Sequence, residues 1–136
     1  MNLRFSTIQW RMTYRICSTC KVKKPISEYY LTGRYTKAGK NIPRAKCKSC
    51  VNKIKKDRRN NIRAWLKQYK RNSSCEVCGY SKETHPKFSI NALEFHHPQN
   101  NKKFAIGEAA ARGMSIKKIK KEIDKCVILC SRCHTE

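Results

Sequence analysis

Eight of the nine cysteines in this chain occur in four pairs with the spacing Cys-x2-Cys. The pairs are Cys17 and Cys20, Cys47 and Cys50, Cys75 and Cys78, and Cys130 and Cys133. Such a pair forms a tight turn that aims two thiolates at one ion, and two pairs complete the tetrahedral ligand set of a structural zinc ion. The first two pairs therefore predict one structural Zn²⁺ site, and the last two pairs predict a second. A redox-active Cys-x2-Cys is the alternative, but it normally accompanies a βαβ pattern, which this sequence lacks.

The chain is poor in apolar residues for its length. Its 136 residues are 39% hydrophobic, and that fraction includes the cysteines. A chain of this size with few large apolar side chains cannot bury an extensive core and depends on cross-links such as bound metal. We therefore predict an α+β protein built from small modules that zinc holds together.

The chain is strongly basic, with 32 Lys and Arg against 9 Asp and Glu and a net charge of +23. This charge favours a nucleic-acid partner, because neutralising phosphates releases counterions; an anionic membrane surface or an acidic protein patch is the alternative. Residues 1–72 hold 21 basic and 2 acidic residues, a net of +19, whereas residues 73–136 hold 11 and 7, a net of +4. The asymmetry predicts binding in the first half and chemistry in the second.

The sequence shows neither a secretion signal nor a membrane span. Residues 1–13 mix Arg4, Gln9 and Arg11 with apolar residues, and nowhere do 18 apolar residues run together. Without a secretion signal, Cys-x2-Cys pairs indicate metal sites rather than disulfides. We expect an intracellular protein in the cytoplasm of a bacterial or other host cell, with a viral gene as one source.

Residues 51–71 predict an amphipathic helix. Ile62, Trp65, Leu66 and Tyr69 recur at helical spacing, and we expect Trp65 to be a core residue rather than a base-stacking platform. Nine cations cover much of the remaining surface and would repel one another along an isolated helix. They are Lys53, Lys55, Lys56, Arg58, Arg59, Arg63, Lys67, Lys70 and Arg71. We predict that they contact DNA phosphates, the alternative being a merely solvated face.

Four segments follow from these patterns. They are an N-terminal tail (1–14), a basic zinc module (15–52), a basic linker helix (53–72) and a domain with the second zinc site (73–136). Within the zinc module, the tyrosines between the two cysteine pairs suggest a hairpin, with Gly33 and Gly39 at turns.

The last segment predicts two strands and a helix. Residues 92–96 alternate in the manner of a strand, and residues 126–129 form an apolar run that suits a partner strand. Ser115 is a candidate cap for a helix that continues through Lys125. Closing the second zinc site would bring the end of the first strand close to His134.

Four histidines and one cysteine remain outside the zinc ligand sets. His96 and His97 end the first predicted strand, and His134 directly follows Cys133. Because adjacent residues on a strand point to opposite faces, His96 and His97 can serve different atoms. We expect His85 to be an ordinary surface residue and Cys126 to be a small apolar core residue.

The second half resembles the HNH endonucleases, in particular the small zinc-containing HNH proteins of bacteriophages and mobile elements. The shared pattern comprises Cys75-x2-Cys78, Leu93-Glu94-Phe95-His96-His97-Pro98 and Lys125-Cys126-Val127-Ile128-Leu129-Cys130-x2-Cys133-His134. The resemblance implies a ββα unit, similar to a treble clef, that grips one divalent metal ion. It also implies that His96 and His134 are metal ligands and that His97 is the general base. An imidazole suits that role because its ordinary pKa of about 6.5 lies near neutrality.

Three lysines take further roles from the same resemblance. Lys125 stands where the family has a central Asn that organises the loop near the site, and a lysine there would contact phosphate instead. Lys102 and Lys103 lie where relatives often carry a lysine, which implies contacts with the substrate phosphate.

The implied function is a DNA endonuclease that hydrolyses phosphodiester bonds with one divalent metal ion and a histidine base. Mg²⁺ is the expected catalytic ion, and Mn²⁺, Ni²⁺ or Zn²⁺ also suit imidazole ligands. The alternative is a non-catalytic, zinc-dependent nucleic-acid-binding protein derived from such a nuclease. RNA is the second candidate target, and we expect no membrane partner.

Overall fold

The computed structural model describes residues 13–136, which form a mixed α+β structure with three two-stranded antiparallel sheets. The elements in chain order are β1 (Tyr14–Ile16), β2 (Lys23–Pro25), β3 (Tyr29–Tyr35), β4 (Asn41–Cys47), α1 (Lys48–Arg71), β5 (Leu93–His96), α2 (Ile106–Ala109), α3 (Ile116–Ile123), β6 (Val127–Cys130) and α4 (Ser131–Thr135). Residues 1–12 of the predicted tail (1–14) lie outside the described residues. None of the helices within residues 13–136 has the length and apolar character that crossing a bilayer requires.

The chain divides into two compact units between Ile54 and Lys55, a boundary that falls inside α1. In the first unit β1 pairs with β2, and β3 pairs with β4 in the hairpin that the sequence predicts. Gly39, with a φ of 73°, lies in the hairpin turn, whereas Gly33, with a φ of 77°, lies inside β3 where the pairing register shifts. The expectation of a turn at Gly33 is therefore wrong, because the strand bulges there instead.

The helix α1 starts at Lys48, three residues earlier than predicted, and ends at Arg71. The earlier start follows from β4, which runs directly into the helix and so places Cys50 in its first turn. Ile62 is buried with the apolar residues of α2 and α3, and Trp65 and Leu66 pack against the same cluster. The C-terminal half of α1 therefore contributes side chains to the core of the second unit in addition to linking the segments. Trp65 packs in that core, as expected.

The second unit is organised around the hairpin of β5 and β6, which pairs Leu93 with Cys130 and His96 with Val127. The strand β5 begins at Leu93 because a 3₁₀ turn occupies the residues before it. The helix α3 is capped as predicted, since the Ser115 hydroxyl accepts a hydrogen bond from the Lys118 amide. The chain then forms the five-residue helix α4, in which His134 is the fourth residue.

Candidate metal centres and histidine site

The first zinc-ligand set comes together in the structure. The sulfur atoms of Cys17, Cys20, Cys47 and Cys50 all lie within 4.8 Å of one another. The Cys47 amide donates a hydrogen bond to the Cys17 sulfur at 3.3 Å, and this bond is the largest influence that lowers the pKa of the Cys17 thiol to about 5. The Cys47 sulfur and burial raise the pKa of Cys50 to about 12. Four thiols this close do not all ionise on their own, and a divalent cation stabilises the fully ionised set.

The second set behaves in the same way. The sulfur atoms of Cys75, Cys78, Cys130 and Cys133 also lie within 4.8 Å of one another. Burial acts to raise the pKa of Cys75, but backbone amides, led by those of Cys78 and Cys130, outweigh it and bring the value to about 6. The Cys130 sulfur, together with burial, raises the pKa of Cys133 to about 12. Both four-cysteine clusters therefore suit structural zinc.

The two clusters are built on one backbone plan, which the sequence analysis did not detect. In both units the residue after the second cysteine of the turn donates a backbone hydrogen bond to the carbonyl of the first cysteine. The Lys21 amide donates to the Cys17 carbonyl, and the Gly79 amide donates to the Cys75 carbonyl, each at 2.9 Å. Lys21 and Gly79 both have a positive φ, of 59° and 72°. In each unit a hairpin follows the turn, and the second cysteine pair begins at the last residue of that hairpin and continues into a helix.

The histidines belong to the second copy of this plan alone. Leu93 pairs with Cys130 as Tyr29 pairs with Cys47, but neither β3 nor β4 carries a histidine. Val51 follows Cys50 where His134 follows Cys133. The first unit therefore has the scaffold without the imidazoles, and any chemistry that needs them resides in the second unit.

His96 and His134 are brought together, as the resemblance implies. Their ring centroids lie 5.0 Å apart in an edge-to-face arrangement. His96 ends β5 and His134 lies on α4, so the hairpin and the short helix together set this distance. The Glu94 carboxylate lies 2.6 Å from Nδ1 of His134 and accepts a hydrogen bond from the Ser131 hydroxyl at 3.0 Å. Glu94 therefore anchors His134 from the neighbouring strand and leaves its Nε2 available.

The spacing of these two rings suits a shared metal ion. A metal–nitrogen bond of about 2.1 Å puts an imidazole centroid about 3.2 Å from the ion, so two ligand rings lie about 4.5 Å apart at a right angle and about 5.2 Å apart at a tetrahedral angle. The observed 5.0 Å falls between these values. The carboxylate on the other nitrogen of His134 is also the usual partner of a metal-bound imidazole, because it fixes the tautomer and the ring orientation.

His97 faces a different element, as the opposite orientation of neighbouring strand residues predicts. Its Nε2 lies 3.0 Å from Oε1 of Glu122 on α3 and 3.3 Å from the Cys126 sulfur. The side chains of His97 and Glu122 are only 9% and 2% exposed. Cys126 thus lies beside an imidazole just before β6 begins, rather than on a buried strand as predicted.

Glu122 remains ionised despite its burial. Burial acts to raise the pKa of this carboxyl, but the Lys103 amide, the Lys125 ammonium and the His97 ring hold it at about 2. The Lys103 amide donates to Oε1 at 2.7 Å, and the Lys125 ammonium donates to Oε2 at 3.0 Å. The fixed negative charge therefore provides a constant hydrogen-bond acceptor for His97.

Lys125 joins this network and also reaches the loop after β5. Its ammonium donates to the Asn101 carbonyl at 3.4 Å, in addition to its bond with Glu122. Lys125 thus links α3 to the loop after β5. The Lys103 amide donates a hydrogen bond to Glu122. Lys102 instead lines a cavity that also includes His97.

A cavity of about 300 Å³ adjoins His97. Three of the predicted phosphate-binding cations, Lys67, Lys70 and Lys102, line it together with His97 and Glu94. Lys70 is half-buried with its ammonium 5.3 Å from the Phe95 ring centre, and burial lowers its pKa despite the opposing Glu94 carboxylate. The remaining candidate contacts are exposed. They are Lys103 and, on α1, Lys53, Lys55, Lys56, Arg58, Arg59, Arg63 and Arg71.

Two carboxylates, Glu94 and Glu122, are functional candidates that the sequence reasoning did not single out. Glu94 had a usable signal, because it alternates with His96 and so shares its strand face. Glu122 had a weaker one, an acidic residue between Ile119 and Ile123 in the buried stripe of α3. His85 is exposed, as expected, and its Nδ1 lies 2.9 Å from the Thr84 hydroxyl.

Comparisons with protein-family models, curated proteins and solved structures found no match to this chain. The chemistry of the site is therefore interpreted from its own geometry.

Proposed function

We propose that this chain is a DNA endonuclease of the HNH type, which hydrolyses phosphodiester bonds with one divalent metal ion and a histidine base. The observation that carries the proposal is the convergence of His96 and His134 at 5.0 Å beside the second four-cysteine cluster. The antiparallel pairing of β5 with β6, followed by α4, supports a ββα metal unit in which α2 and α3 are inserted between the two strands. A zinc-stapled unit of this kind holds the site without a large core.

His96 and His134 would hold the divalent ion, Mg²⁺ or Mn²⁺ in the cell. When bound by these two residues, the ion would supply Lewis-acid chemistry to the scissile phosphate and to the departing 3′ oxygen. Glu94 keeps the His134 ring in place through Nδ1, so that the ligand does not depend on the packing of the short α4. Precise support of this kind matters because a shift of about 1 Å at a reacting centre costs orders of magnitude in rate.

His97 acts as the general base in this proposal. Because the ionised Glu122 carboxylate only accepts hydrogen bonds, it favours the tautomer that carries its proton on Nε2. The neutral ring then keeps a lone pair on Nδ1, which can take a proton from the attacking water. The carboxylate also stabilises the imidazolium that results, which is the role of the orienting acid in other histidine-based hydrolases.

The cations supply affinity for the substrate. Lys67, Lys70 and Lys102 line the same cavity as the proposed base, so a phosphate they attract lies close to His97. The net charge of +23 adds long-range attraction to a polyanion. DNA is the proposed target.

A second function is favoured by one specific observation. The Nε2 atom of His97 is engaged by Glu122 and lies 3.3 Å from the Cys126 sulfur, and the ring is only 9% exposed. A histidine fixed in this manner can be purely structural. The corresponding function is a zinc-dependent DNA-binding protein that has the nuclease scaffold and does not cut.

Plasmid nicking separates the two functions. Purified zinc-loaded protein is incubated with supercoiled plasmid and Mg²⁺ or Mn²⁺, beside the variants His97→Ala and His85→Ala. We expect metal-dependent nicking by the wild type and by His85→Ala, whose ring is exposed, and none by His97→Ala. Plasmid binding without nicking by the wild type would support the non-cutting function, and nicking by His97→Ala would remove the proposed base.

A further inference from the structure

The segment 81–91 supplies no ligand to the zinc clusters and no side chain to the hydrogen bonds of His97, and Tyr80 packs against it. The Tyr80 ring lies 4.5 Å from the His85 ring and 5.4 Å from the Phe88 ring. The Tyr80 hydroxyl accepts a hydrogen bond from the Ser89 amide at 2.8 Å. A loop held in one conformation loses little entropy when it binds a ligand, so this segment is a preorganised surface.

This segment forms one wall of a groove of about 750 Å³, and the C-terminal part of α1 forms the other. The groove is lined by the cations Lys67, Arg71 and Lys82, by the rings of His85 and Phe88, and by polar side chains that include Asn91. Among residues 13–136, no Asp or Glu lines it. Within residues 13–136 none of the three cations forms an ion pair with a carboxylate. The charge of the groove is therefore available to an anionic ligand.

The groove adjoins the cavity at His97, because Lys67, Ile90 and Asn91 line both spaces. Lys102 and His97 line the neighbouring cavity. A single anion would need only one of the three cations of the groove, whereas a polyanion can contact all of them.

We propose that this groove binds the sugar-phosphate backbone of one DNA strand and leads it to the cavity that contains His97. Lys67, Arg71 and Lys82 contact successive phosphates, and the rings of His85 and Phe88 offer flat surfaces to the sugars and bases, as in other nucleic-acid tracks. The inference rests on the proposed function, because it assigns the path of that enzyme's substrate. It adds Lys82, which lies outside α1, to the predicted phosphate contacts.

Lys82 and Lys87 provide a matched pair for the test. Both are exposed lysines on the same segment, but only Lys82 lines the groove. Binding of a fluorescein-labelled DNA duplex and of the same single strand is measured by anisotropy at several salt concentrations, without added Mg²⁺, for the wild type, Lys82→Ala and Lys87→Ala. Plasmid nicking by the same proteins is measured in parallel.

We expect Lys82→Ala to weaken binding about three- to tenfold at low salt and to reduce the slope of log K against log salt by about one, the signature of one lost phosphate contact. Lys87→Ala should remain within twofold of the wild type. Equal effects of the two variants would overturn the groove assignment even if the wild type cuts DNA. A wild type that binds DNA through Lys82 but does not nick would instead refute the endonuclease and leave the groove in place.

Discussion

Loss of one cysteine from the first cluster should unfold the first unit and leave the second intact. The reason is the size of the core. Among residues 13–54 the buried side chains are those of Cys17, Cys47 and Tyr29, so the tyrosine is the one large side chain in that core. Cys47 is fully buried and also bonds to the Cys17 sulfur through its amide, which makes Cys47→Ala the most direct change.

The expected magnitude follows from these contacts. Burying Tyr29, which is 3% exposed, stabilises the unit by about 2–3 kcal/mol, and its hydroxyl bond to the Arg15 carbonyl at 2.7 Å adds about 1 kcal/mol. A structural zinc ion contributes about 10–16 kcal/mol of binding free energy to a small module of this kind. The zinc term is several times larger than the apolar term, so the unit cannot remain folded once the ion is lost.

Two measurements on the same samples test this. Zinc content, measured by atomic emission, should fall from two ions per chain to one in Cys47→Ala. The dispersed amide resonances of residues 13–54 should collapse in a ¹H–¹⁵N correlation spectrum, while those of residues 55–136 persist. Cys126→Ala is the matched control, because Cys126 belongs to neither cluster and the variant should keep both ions. A Cys47→Ala protein that retains two ions, or that stays folded with one, would refute the reasoning.

Three further substitutions test the second unit. Glu94→Ala removes the carboxylate on His134 and should weaken Mn²⁺ binding to zinc-loaded protein about 10- to 100-fold, as measured by isothermal titration calorimetry; unchanged affinity would mean that the carboxylate does not orient the ligand. Glu122→Gln should lower kcat for nicking about 10- to 100-fold with little change in KM, since a neutral amide no longer fixes the His97 tautomer; an equal loss of DNA affinity would point to a structural role instead. Gly79→Ala should cost about 1–2 kcal/mol in urea unfolding, because its φ of 72° is unfavourable for a residue with a side chain, and no neighbouring atom lies within 4 Å of the new Cβ; a larger loss would require a clash that the structure does not contain.

The sequence predicted the metal framework well because the relevant signals are local. The Cys-x2-Cys spacing determines each turn, and two such turns suffice to identify a zinc cluster. The alternation of residues 92–96 and the apolar run before Cys130 likewise predicted the pairing of β5 with β6, with shifts of one residue at their ends. The cap at Ser115 is also a local signal, since the hydroxyl bonds an amide three residues away.

What the sequence could not show are the contacts that depend on tertiary packing. The bonds from Glu122 to His97 and to the Lys103 amide span 25 and 19 residues, and no spacing rule links them. The same is true of the bond between Lys125 and the Asn101 carbonyl, which spans 24 residues. The common plan of the two units was hidden because their hairpins share almost no residues beyond the cysteines. The matching backbone hydrogen bonds and positive φ at Lys21 and Gly79, together with the shared order of elements, reveal it.

In the proposed endonuclease, His96 and His134 hold the ion with which the chain cuts DNA. The most direct test is the Mn²⁺ dependence of plasmid nicking by zinc-loaded protein, with bound Mn²⁺ followed by electron paramagnetic resonance in the same titration. We expect nicking to rise with the occupancy of one Mn²⁺ site per chain, and His134→Ala to lose both the bound ion and the nicking while it retains its zinc. Nicking by His134→Ala at the wild-type Mn²⁺ dependence would contradict the role of His134 as a ligand.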